Sequence, residues 1–143
     1  MSSEANKALV RRFFEAFNAG DLDGTAAVFA PHAVVHNSGA PDPLNLEGFK
    51  QLAAVFLAAF PGGQHSIDDM IGAGDKVVTR ITYRGTHTGD LMGIPPTGKH
   101  VAVSAMTIDQ IVGGKIVETW RLFDQLSMMQ QLGVIPTPEQ ATA

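Results

Sequence analysis

Apolar positions recur with two periods along this chain, and the change falls near residue 60. In the first part they return every three or four residues, the spacing of one helix face. Ser3 can cap a first helix whose stripe is Leu9, Phe13, Ala16 and Phe17, and Gly20 ends it. Asp21 starts a short second helix through Ala26, Ala27 and Phe29, which stops before Pro31. Val34 and Val35 begin a short strand that includes His36. Residues 38–45, with Pro41 and Pro43, read as a loop. A third helix is predicted over 46–60, with Phe49, Leu52, Phe56 and Phe60 on one side.

Beyond Phe60 the pattern turns to that of strands. Segments 66–72 and 76–88 flank the turn Gly72-Ala73-Gly74-Asp75, and a loop rich in glycine and proline covers 89–99. Segments 101–112 and 115–125 flank Gly113–Gly114, a strong hairpin signal. Residues 135–143, with Pro136 and Pro138, read as a loose tail. Helices first and strands later predict an α+β fold with the helices on one face of an antiparallel sheet. A strongly bent sheet closed by helices on one side makes a cone, and its interior is a natural ligand cavity. In the strand over 101–112 neither face is clearly polar, which suits burial on both sides and predicts a homodimer or homotetramer through the outer sheet face.

Composition narrows the function. The 143 residues suit one domain over 1–143, and 45% hydrophobic content supplies a core. The absence of cysteine excludes disulfide scaffolds, iron–sulfur clusters and thiol nucleophiles. A net charge of −4, with cationic residues never running beyond the pair Arg11–Arg12, argues against nucleic acid as a partner. The longest apolar run, 52–60, has nine residues, against the ~20 that a membrane helix needs. The opening Met-Ser-Ser-Glu-Ala-Asn-Lys has no apolar stretch of a secretion signal, so the expected location is the cytoplasm.

Candidate chemistry concentrates on the last strand. Strict alternation places Ile116, Glu118, Trp120, Leu122 and Asp124 on one face, and Val117, Thr119, Arg121 and Phe123 on the other. A carboxylate beside Trp120 and Leu122 would be partly desolvated, with its pKa raised toward proton transfer near neutral pH. The structural alternative is that Asp124 ends a strand in water and Glu118 pairs with a Lys or Arg. His36 is a second candidate, or else a half-buried core histidine. His32 and His36 on a strand would stand ~13 Å apart, too far to share a metal ion. Arg80 either sits on a solvated, salt-bridged face or enters the cavity to hold a substrate oxygen. His87 is a hydrogen-bonding loop residue or lines the cavity mouth. Met92 and Met106 are core filler or the soft wall of a pocket. There is no dinucleotide fingerprint, Walker lysine pattern or G-x-S-x-G elbow.

Taken in order, several segments resemble the SnoaL-like polyketide cyclases, a branch of the NTF2-like superfamily. They are Asn18-Ala19-Gly20-Asp21-Leu22-Asp23, Phe29-Ala30-Pro31, Ala59-Phe60-Pro61, Gly74-Asp75-Lys76-Val77 and Gly85-Thr86-His87-Thr88-Gly89. Met92-Gly93-Ile94-Pro95-Pro96-Thr97-Gly98, Gly114-Lys115-Ile116-Val117-Glu118-Thr119-Trp120, Asp124 and Gln131-Leu132-Gly133-Val134 complete the series. The resemblance implies an NTF2-like cone, a curved antiparallel sheet wrapped by N-terminal helices around a pocket. It implies a cofactor-free aldol ring closure on a small, hydrophobic, polyketide-like carbonyl compound. By the same resemblance Asp124 is the general acid/base, His36 assists, and Trp120 is a pocket aromatic; Phe60, Arg80, His87, Met92, Met106 and Glu118 complete the expected pocket. The cyclases carry a further histidine on the penultimate strand, where this chain has Met106, Thr107 and Gln110. Alternatives on the same fold are a non-catalytic binder of hydrophobic ligands, or an epoxide hydrolase, hydroxylase or isomerase.

Overall fold

The structure is a computed structural model, and it describes residues 2–138. Two of the helices open the chain, α1 (Ser3–Asn18) and α2 (Leu22–Ala27), followed by β1 (Phe29–Asn37) and α3 (Leu46–Ala59). Then come β2 (Gln64–Ala73), β3 (Lys76–Thr86), β4 (His100–Val112), β5 (Lys115–Phe123) and α4 (Gln125–Gln131). Each helix starts at a side chain able to accept from a backbone N–H that the helix leaves unpaired. Ser2 accepts from Ala5, Asp21 from Gly24, Asn45 from Gly48 and Asp124 from Ser127, at 2.8–3.1 Å. The first cap is therefore Ser2, one residue before the expected Ser3.

The strands form one curved sheet in the order β1-β5-β4-β3-β2. Gly113 and Gly114 (φ +60° and +78°) close the β4–β5 hairpin with the two left-handed residues its tight turn demands. The expectation of an antiparallel sheet needs one correction. The β1–β5 pair is parallel, so the sheet is mixed. A long connection through α3, β2, β3 and β4 separates the two strands, which is what parallel pairing requires. Strand β1 is also longer than expected and starts at Phe29, leaving α2 six residues. Its register with β5 is irregular between Phe29 and Val34, around Pro31, which has no N–H to give the ladder. Helix α4 falls where the pattern suggested the end of a strand. It buries Met128 and Leu132, one helical turn apart, against the sheet.

The core fills the concave side. Leu9, Val10, Phe13 and Phe14 of α1 meet Phe29, Val35 and Phe49 at one end; Phe60, Tyr83, Val101, Val103 and Met128 fill the other. At about 1.5–3 kcal/mol per large apolar side chain buried, this packing drives the fold. The opposite face of the sheet is uncovered: Met106 (49%), Ile108 (39%) and Leu122 (68%) stand partly in solvent. Part of the predicted tail, residues 139–143, lies outside the described residues. Among the described residues no helix is long and apolar enough to cross a membrane.

Candidate active site

One feature of β5 decides which side chains reach the concave interior. Gln110 pairs with Glu118 but the next residue, Ile111, pairs with Ile116, so Val117 is an extra residue in β5. Such a β-bulge reverses the phase of alternation beyond it. Ile116 faces the core, and so do Thr119, Arg121 and Phe123; Glu118, Trp120 and Leu122 face away. The expectation that Ile116, Trp120 and Leu122 share an inner face is therefore corrected, and the physical reason is the single extra residue.

A cavity of about 120 Å³ lies between α1, α3 and the inner sheet face. Its walls are mainly rings: Phe13, Phe17, Phe49, Phe56, Tyr83 and Phe123. Asn37, His65, Thr107, Arg121 and Gln125 bring polar atoms to it. Thr107 occupies the region of β4 where the family resemblance implies a histidine. Ala53 and Ala105, being small, leave space that longer side chains would fill.

Arg121 dominates the electrostatics. Its side chain is 12% exposed, and Nη1 stands 3.8 Å from Oδ1 of Asp109, which is 2% exposed. Nη1 also donates to the Thr119 hydroxyl at 3.5 Å. The guanidinium carbon lies 4.6 Å from the ring centre of Phe13 and 5.3 Å from that of Phe49, within cation–π range. Burial pushes the Asp109 carboxyl up, while Arg121 and the Thr119 and Thr107 hydroxyls pull it back. Burial likewise weighs against the Arg121 charge, and Asp109 supports it. Arginine keeps its proton in proteins, so the cavity holds a fixed positive charge.

His65 is the other titratable group of interest. Its ring packs between Phe14, Phe17 and Tyr83, with centroids 4.6–5.2 Å apart. Its backbone is tied to Asn18 at the end of α1 by two hydrogen bonds, of 2.7 and 2.9 Å. Burial first, and the Arg121 charge second, push the imidazole down to about 3, so it is neutral at physiological pH. Burial among the same rings pushes the Tyr83 phenol up to about 12.

The residues singled out from sequence fall elsewhere, with one exception. Met92 lines the cavity and is itself more than half exposed, which puts it at the mouth. Asp124 is the exposed N-cap of α4, and its Oδ1 accepts from the Ser127 N–H at 3.1 Å. The expected dry environment for this carboxylate is not what the fold supplies, because Asp124 opens a helix just past the last strand residue. Phe123 and Gln125 on either side of it do line the cavity. His36, Glu118 and Trp120 form a separate cluster on the outer face. His36 Nε2 and Glu118 Oε2 are 2.7 Å apart, and the His36 ring stacks on Trp120 at 5.4 Å. Arg80 is on that face too, more than half exposed and 3.7 Å from Asp68, and Met106 pairs with it across β3 and β4. Phe60 is fully buried core against Tyr83 and His87. His87 is buried, and its Nδ1 accepts from the Thr97 N–H at 3.1 Å, which ties down the 87–98 loop.

Arg121, His65 and the Phe13–Phe49 pair are the cavity residues that the sequence reading passed over, together with Asp109, which pairs with Arg121 outside the lining. The signal for Arg121 was its place between Thr119 and Phe123 on the second face of β5. A concave aromatic pocket under a curved sheet, bordered by helices, defines the class: a small α+β protein with a cavity between its sheet and its helices. The profile of the SnoaL-like polyketide cyclases matches residues 7–132, and the chain belongs to that family; it is an enzyme. It is 33% identical over 140 residues to aklanonic acid methyl ester cyclase DauD of Streptomyces sp. (strain C5), covering 92% of this chain and 84% of that one. It is 32% identical over 138 residues to aklanonic acid methyl ester cyclase DnrD of Streptomyces peucetius, covering 92% and 93%. Among solved structures, IdmH of Streptomyces antibioticus, a candidate polyketide cyclase, superposes with a TM-score of 0.81 at 34% identity, covering 90% of this chain and 98% of that one. AclR of Streptomyces galilaeus, a candidate hydroxylase, superposes with a TM-score of 0.89 at 28% identity, covering 99% and 88%.

Proposed function

We propose that this enzyme closes a ring in a small polyketide methyl ester by intramolecular aldol condensation inside the cavity. The observation that carries the reading is the aromatic slot itself, with rings on several sides and few polar atoms among them. A flat, conjugated carbonyl compound gains apolar burial there without a large desolvation cost.

The chemistry asks little of the protein beyond geometry. A methylene between two carbonyls is already acidic. Water entering from the open side of the cavity takes its proton and leaves an enolate, whose carbon attacks a second carbonyl in the same molecule. The new C–C bond converts that carbonyl to an alkoxide, which takes a proton back from water, so the product is an isomer of the substrate. Holding both ends in one attack geometry supplies up to about 7–11 kcal/mol in favourable cases. In this reading Asp124 caps α4 and takes no part in proton transfer, and two copies of the chain meet through the uncovered sheet face.

Aklanonic acid methyl ester, the substrate named for the two cyclases, is the first compound to try. Ring closure is followed as a change of chromatographic retention at constant mass. Ala105→Trp, which fills the slot, is expected to abolish turnover with the fold intact. Asp124→Asn keeps a good N-cap and is expected to hold turnover within about threefold. No isomerisation of this or of simpler polyketide methyl esters would overturn the reading. A loss of a hundredfold or more in Asp124→Asn would return the acid/base role to Asp124.

A further inference from the structure

We propose that Arg121 is an anion-binding group, which grips a negatively charged oxygen of the ligand through Nε and Nη2. The inference rests on the cavity being the substrate site, and it deepens that reading by naming what the substrate must carry: an ionised carboxylate or an enolate oxygen.

Three observations support it. First, the protein satisfies only part of the guanidinium. Arg121 has five N–H donors. Among the described residues its side-chain partners are Thr119 and Asp109, and both are met through Nη1. The Asp109 contact, at 3.8 Å, is an ion pair longer than a good hydrogen bond. Nε and Nη2 make no protein hydrogen bond among the described residues, yet the side chain is 88% removed from solvent. Second, the group is set at a ligand surface. Arg121 lines the cavity, while Phe13 and Phe49 lie against the guanidinium and restrict where it can swing. Third, the cavity lining includes no acidic side chain among the described residues, so an entering anion meets the positive charge and no lining carboxylate.

A purely structural role explains these facts less well. A buried ion pair is often no more stabilising than apolar residues of the same volume. Here a methionine at 121 with an asparagine at 109 would fill the same space among phenylalanines without burying a charge. A guanidinium with idle donors beside a cavity is the arrangement expected of a receptor for a planar anion, which it can hold by two parallel N–H bonds. For the ring closure, the oxygen so held is the one on which negative charge collects when the methylene loses its proton, and stabilising it there favours enolate formation.

The test compares 2-naphthoate with 2-naphthamide, two flat probes of equal size and different charge, by titration calorimetry at pH 7. The parent protein is expected to favour the anion by about tenfold or more. Arg121→Met is expected to bind the amide within about twofold of the parent and to lose the preference for the anion. If that variant fails to fold because Asp109 is left alone, the pair Arg121→Met with Asp109→Asn removes both charges and gives the same readout. Arg121→Lys, a point charge without the fork, is expected to recover part of the preference. An absent preference in the parent, or one that survives in the double variant, overturns the inference. The two readings fail separately. Anion preference without turnover of any polyketide ester keeps the Arg121 site and removes the cyclase; turnover without anion preference does the reverse.

Discussion

His65 offers a quantitative check on the cavity, because its environment fixes the sign and size of a pH effect. In the unfolded chain the imidazole titrates near its ordinary value of 6.5, and in the folded protein it is pushed down to about 3. Below pH 6.5 the unfolded state therefore binds a proton that the folded state refuses, and stability drops as pH falls. Integrating between those two values, His65 costs about 1 kcal/mol at pH 6 and about 3 kcal/mol at pH 4. The difference, about 2 kcal/mol, is a large share of a typical total stability of 5–15 kcal/mol. Asp109 titrates in the opposite sense. Its raised pKa makes the folded state take up a proton first, so its contribution is lost as pH rises. The raw pH profile thus mixes both groups. His65→Phe separates them: it removes the titrating ring, keeps the shape and leaves Asp109 in place. Relative to the parent, the variant is expected to gain about 2 kcal/mol between pH 6 and pH 4, or about 7 °C in Tm for a domain of this size. Urea unfolding at several pH values measures it directly. A parent-minus-variant difference that stays flat across this range would show that His65 titrates normally, and with it would go the buried, ring-walled setting that the fold gives it.

Two further measurements probe the mouth and the outer face. Met92 holds a left-handed backbone (φ +46°) in the tight turn between Leu91 and Ile94, a conformation that favours glycine. Met92→Gly is expected to raise stability by up to about 1 kcal/mol while increasing KM, because the side chain at the cavity mouth is lost; a fall in Tm would refute the strain argument. For the uncovered sheet face, light scattering at micromolar concentration is expected to give at least twice the 15.1 kDa chain mass, and Met106→Lys with Leu122→Lys to shift it to one chain with unchanged circular dichroism. A monomeric parent would contradict that arrangement.

Much of the architecture was legible from periodicity. The stripes of α1 and α3, the Gly113–Gly114 turn and the long β3 and β4 strands follow from local rules that act within a few residues. What escaped reading depends on partners far along the chain. The parallel β1–β5 pairing joins Val34 to Glu118, and no local pattern announces it. Helix α4 carried a readable sign, the Asp124 cap with Met128 and Leu132 one turn apart, but it was masked by the strand before it. The candidate site suffered most. Alternation correctly grouped Thr119, Arg121 and Phe123, and equally correctly grouped Glu118, Trp120 and Leu122. It could not say which group faced inward, because the bulge at Val117 is defined only by the pairing of its neighbours, Glu118 with Gln110 and Ile116 with Ile111.

That ambiguity matters because each face of β5 sets a nitrogen-bearing side chain against a carboxylate, in unlike surroundings. On the outer face His36 and Glu118 lie 2.7 Å apart, with both side chains about one-third exposed. On the inner face Arg121 and Asp109 are 3.8 Å apart and 12% and 2% exposed. By distance alone the outer contact is the tighter. For a charge, surroundings count for more: two unit charges 4 Å apart interact by about 1 kcal/mol in bulk water but about 4 kcal/mol at an effective dielectric of 20. The same factor applies to any charge that a substrate develops. An enolate forming beside His36 would be screened by water and gain little, whereas one forming against Arg121 would feel a nearby, poorly screened positive charge held between phenylalanine rings. The face that sequence alternation favoured has the more familiar residues, a histidine, a glutamate and a tryptophan. The face that the bulge turns inward has the dielectric, and for a reaction that needs one unstable negative oxygen stabilised, the dielectric decides.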